Sequence, residues 1–63
     1  MSNYDNQKSI AEAYVTSFEF DKAADAFEKC IPLLDAPDIN MSPVPKRILK
    51  NSIRERIRIL RGE

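Results

Sequence analysis

Two amphipathic patterns in this 63-residue chain are separated only by Glu19 and Phe20. At 100° per residue, Tyr4, Gln7, Ile10, Ala11, Tyr14, Val15 and Phe18 share one arc, which predicts a helix over about 3–18. Phe20, Ala23, Ala24, Phe27, Cys30, Ile31 and Leu34 share another, which predicts a helix over about 21–34. A gap of two residues leaves such helices one arrangement, a tight antiparallel hairpin. Ser2 or Asn3 can cap the first helix, and Asp5 suits its positive end. Asp21 is placed to cap the second. Pro32 near its far end is expected to kink or loosen the last turn rather than abolish the helix.

"DAPDINMSPVP" follows, with three prolines and no helical period. We read 35–43 as an ordered but irregular connection. A third helix is predicted over about 44–61, begun at Ser42–Pro43 or Val44–Pro45, where a proline in the first turn lacks only an amide that the helix would leave unpaired. Its Ile48, Leu49, Ile53, Ile57, Ile59 and Leu60 cover about half the circumference, more than the roughly 100° that suffices to face one core. Either both hairpin helices press on that arc or part of it is left for another chain. The single glycine, Gly62, and the lack of period-2 alternation leave no place for strands. The expected fold is an all-α three-helix bundle of one domain, 1–63.

A chain of this length buries only about 60% of its unfolded surface and is marginal alone. Its one cysteine, Cys30, cannot close an internal disulfide, and no histidine is present. A structural metal site is therefore not expected, nor any cofactor. Tight helix packing or self-association has to supply the stability. No run of 18 apolar residues is present, so no membrane span is expected, and the N-terminus lacks the segments of a signal peptide. A reducing, cytoplasmic setting is the default. Met1, and a tail of three residues past Leu60, suit a complete protein.

The net charge is zero but unevenly spread. Residues 1–40 carry eight acids against three bases, and 41–63 carry seven bases against two acids. Arg47, Lys50, Arg54, Arg58 and Arg61 recur at helical spacing and form one basic stripe on the third helix. The stripe can be a solvated face. It can dock on the acidic flank of the second helix, Asp21, Asp25 and Glu28, or on a neighbouring chain. It can also contact nucleic-acid phosphates. Against nucleic acid stand the neutral total charge, the acidic first half and the lack of an aromatic on the stripe to stack on bases. Arg56 lies apart, inside the apolar arc, where a charge needs a partner or a route to water. If buried, it should meet an acid; if exposed, it marks a groove that receives a partner.

No nucleophile–base pair and no phosphate loop is present, and Asp21, Asp25 and Glu28 read as a solvated flank, so an enzyme is not expected. Cys30 reads as a small buried apolar residue. Tyr14, Phe20 and Phe27 read as core. Tyr4 and Phe18, at the two ends of the first helix, are open to partner contact.

Over 7–34 the hairpin resembles a tetratricopeptide repeat. Tyr14, Ala23, Phe27 and Cys30 match that family's spacing of an aromatic, an alanine, a second aromatic and a small residue. Ile10, Ala11 and Phe20 also fall at its preferred positions. Phe18 stands where the family often has glycine, the closing proline is out of register, and one repeat is present where arrays normally need about three. Most of the chain is also similar to the microtubule-interacting and trafficking domain, a three-helix bundle. "FEFDKAADAFEKC" resembles the start of its second helix and "SIRERIRIL" its closing helix, with Arg56 and Leu60 at matching positions. Both resemblances imply binding of a partner's helix or peptide in an inter-helix groove. The expected function is thus a protein-interaction module, self-associating or bound to a larger protein, with Ile53, Arg56, Ile57 and Leu60 at the contact. The alternative is a small nucleic-acid-binding regulator acting through the basic stripe.

Overall fold

A computed structural model describes residues 2–63. Three helices follow one another: α1 (Asn3–Thr16), α2 (Phe20–Leu33) and α3 (Pro43–Arg61). Ser2 caps α1 by accepting the Asp5 amide at 3.1 Å. Glu19 stands at the N-cap of α2 without a side-chain bond, so Asp21 is a first-turn acid and not the expected cap. Ser42 precedes α3, with proline in its first turn.

α1 stops two residues short of the expected end because Phe18 takes a left-handed φ of 61°. The reversal lets the Phe18 amide donate to Val15 O at 3.0 Å and the Glu19 amide to Tyr14 O at 2.9 Å. These bonds satisfy the last carbonyls of α1 and turn the chain directly into α2. At Pro32 the ladder tightens. Leu34, Asp35 and Ala36 donate three residues back, to Ile31, Pro32 and Leu33, which closes α2 in short turns.

Small residues set the hairpin spacing. Ala11, Ala23 and Ala24 are fully buried, and the backbones approach closely enough for Gln7 Nε2 on α1 to donate to Ala26 O on α2 at 3.3 Å. Phe27 and Cys30 of α2, with Leu34 at its C-cap, are the largest fully buried side chains, and Ile53 and Ile57 of α3 belong to the same core. Tyr4 closes the core at the start of α1.

α2 is the middle helix. It packs against α1 on one side and α3 on the other, and no Cα of α1 comes within 8 Å of one in α3. Of the two hairpin helices, α2 alone packs closely against α3. The Cα envelope, 32 × 24 × 13 Å, has about the width of three helices side by side at spacings of about 9–10 Å. Among the described residues no helix is long and apolar enough to cross a membrane.

Candidate functional site: a groove between the first and third helices

Because α1 and α3 flank α2 without meeting, their facing sides leave a groove. From α1 it is lined by Glu12, Val15 and Thr16; from α3 by Ser52, Glu55, Arg56, Ile59 and Leu60. This wide bay has a volume of about 660 Å³. A second, narrower notch of about 150 Å³ lies at the Tyr4 end. Its walls are Tyr4 and Lys8 of α1 and Leu49, Ser52, Ile53 and Arg56 of α3, with Phe27 and Cys30 of α2 as floor. Ser52 and Arg56 border both spaces, so the two form one trough along the parallel pair α1 and α3.

Arg56 is exposed, and its guanidinium carbon lies 5.2 Å from the Phe27 ring centroid. The ring face supports the cation and holds it over the trough. Among the described residues no carboxylate oxygen lies within 4.0 Å of Arg56 or of Lys8. This is the exposed alternative of the two outcomes expected for Arg56.

Of the four expected contact residues, Arg56 and Leu60 line the bay. Ile53 and Ile57 are each 7% exposed and serve chiefly as the core of α3 against α2, with Ile53 reaching the notch wall. Ile59, 68% exposed, is the large apolar side chain of the bay. It was legible as part of the broad α3 arc but not as the groove residue, because the side of α3 that α2 would cover was open. Val15 and Lys8 had no signal of their own: their place depends on where α3 docks.

The basic stripe is divided by ion pairs. Lys50 Nζ meets Asp35 at 2.7 Å, and Lys46 meets the same carboxylate at 3.6 Å. Arg61 forks to Glu28 at 2.8 Å and Asp25 at 2.9 Å. Arg58 pairs with Glu55 at 2.9 Å, and Arg54 donates to Asn51 at 3.2 Å. Arg47 is exposed. Of the stripe, Arg61 thus meets Asp25 and Glu28 of the acidic flank of α2, while Lys50 meets Asp35 just past the end of that helix. The hydrogen bond from Arg61 holds the Glu28 carboxyl below its ordinary range, and the bond from Lys50 does the same for Asp35.

Cys30 is fully buried, its Sγ 3.5 Å from Ala26 O, and burial pushes its thiol up. Phe27 and half-buried Tyr14 belong to the core region as expected. Phe20 does not: it is 43% exposed and meets Phe18 edge to face at 6.1 Å, outside the core. Tyr4 is buried, and desolvation raises its hydroxyl pKa. Phe18 is exposed at the hairpin tip, clear of the groove lining. No family model matches the chain, and no curated protein or solved structure is detectably similar to it.

Proposed function

We propose that this chain is a non-enzymatic protein-interaction module that receives a helix or peptide of a partner in the trough between α1 and α3. The observation that carries this reading is the separation of α1 from α3, which leaves Val15, Ile59 and Leu60 facing a space of about 660 Å³. That volume lies in the range of ligand-binding clefts. An α-helix with its side chains is about 10–12 Å across, a diameter suited to resting on α2 between two flanking helices. Apolar anchors would supply the binding energy, and the charges around the trough would set orientation. The tetratricopeptide-like and trafficking-domain-like patterns imply the same kind of recognition.

The nucleic-acid reading has less support, since Lys50, Arg58 and Arg61 already meet carboxylates. Phosphate binding would have to compete with those contacts. The chain should pass through a nucleic-acid column at low salt, and Arg47→Glu/Arg54→Glu should pass equally.

The groove reading is tested by selecting displayed helical peptides against the native chain and against Ile59→Arg. Binders of the native chain should lose at least tenfold in affinity for the variant, which places a charge over the bay. Equal binding to both would refute the groove.

A further inference from the structure

The trough is chemically uneven along its length. At the Tyr4 end two cations, Lys8 from α1 and Arg56 from α3, face one notch from opposite walls, beside the Ser52 hydroxyl. Every other ordered contact of α3 that brings a cation to a neighbouring element ends on a carboxylate, as at Lys46, Lys50 and Arg61. Lys8 and Arg56 have none. The Arg56 guanidinium is held against the Phe27 ring, so its N–H fork is oriented before any partner arrives. A carboxylate accepting from that fork would make the charge-assisted bond that the chain itself does not provide.

At the other end Val15, Ile59 and Leu60 line the bay, with Glu12 and Glu55 beside them. On α1, Lys8 and Val15 are seven residues apart; on α3, Ser52 of the notch is seven from Ile59, while Arg56, three from Ile59, reaches the notch through its side chain over Phe27. Seven residues rise about 10.5 Å, two helical turns. The cationic notch and the apolar bay therefore repeat the i, i+7 spacing of a single helix face.

Building on the helix-in-groove reading, we propose that the partner helix carries a side-chain carboxylate seated between Lys8 and Arg56 and a large apolar residue seven positions away over Val15, Ile59 and Leu60. The partner is thus an amphipathic helix with one acid on its apolar face. Charge complementarity favours it over α3 of a second copy, which carries seven basic residues against one acid from Lys46 to Arg61.

The probe is the set of peptides selected from a library of helices randomised on one face. They are sequenced and titrated against the native chain, Arg56→Gln and Lys8→Glu/Arg56→Glu, with circular dichroism confirming that each variant is helical. Peptides selected on the native chain should carry Asp or Glu seven residues from Leu, Ile, Met or Phe. Changing that acid to its amide should weaken binding about five- to tenfold, with a smaller loss in 1 M salt. Against Arg56→Gln the same change should lose most of its effect. Against Lys8→Glu/Arg56→Glu the selected residue should switch to Lys or Arg. Binders that fail on Ile59→Arg yet show no acid at this spacing would overturn this inference and leave the groove intact. Binders indifferent to Ile59→Arg would overturn the groove itself. A stable dimer dissociated by Ile59→Arg, with no peptide able to compete, would make the occupant a second copy and overturn the proposal.

Discussion

Phe18 and Gly62 end two helices through the same pair of backbone bonds: the amide of each donates three residues back, and the next amide reaches five. Gly62 takes its φ of 77° without a side chain to strain it, whereas Phe18 holds φ at 61° against a penalty of about 1–2 kcal/mol. Phe18 recovers some of this through its edge contact with Phe20, but it is 79% exposed and buries little. Phe18→Gly should therefore change stability by no more than about 1 kcal/mol in either direction in a urea titration. Phe27, 2% exposed, is the opposite case. Phe27→Ala should cost about 3–5 kcal/mol, which is about all that the core of so small a domain supplies, and should abolish cooperative unfolding. Phe18 was legible only as a departure from the tetratricopeptide pattern, standing where that family often has glycine. The exposure of Phe20 was not, because the first residue of a helix lies on the apolar arc by angle yet projects past the end of its neighbour.

Helix number, order and approximate limits were legible because three 3.6-residue patterns are separated by a two-residue gap and a proline-rich stretch. Packing partners were less so. In α1 the apolar arc is diluted by Gln7, and Ile10 on that arc remains half exposed while Ala11 is fully buried. The periodicity gives a face, but the small residues decide where the next helix comes closest. Ala24 is such a point of approach, with no exposed surface. Ala24→Leu should overpack the core around α2 at a cost of about 1–3 kcal/mol, measured as a lower urea midpoint. For α3 the width of the apolar arc was informative. Ile53 and Ile57 satisfy α2, while Ile59 and Ile48 remain exposed, because α1 stands too far away to cover them.

Across the whole molecule the charge asymmetry is answered in part by internal ion pairs. The basic last helix is fastened to Asp25 and Glu28 of the middle helix and to Asp35 just past its end. Glu28 and Asp35 are held below their ordinary values of 4.5 and 3.8, so the folded state binds their protons less readily than the unfolded chain. Their contribution is present above the unfolded values and is lost as pH falls through the lowered folded ones. The melting temperature should be level near neutrality and decline below about pH 5. Glu28→Gln/Asp35→Asn should melt lower at pH 7 and show a shallower acid decline.

Lys8 and Arg56, two of the cations that meet no carboxylate among the described residues, lie with Val15, Ile59 and Leu60 along the same trough. Its location depends on α1 and α3 standing apart, and no local pattern in the sequence encodes that separation. A methyl-resolved NMR titration of the chain with a selected helical peptide tests the groove most directly. The account predicts shifts at Val15, Ile59 and Leu60 while Ile10, on the outer α1–α2 surface, stays unmoved. Shifts centred on Ile10 with Val15, Ile59 and Leu60 unmoved would contradict it.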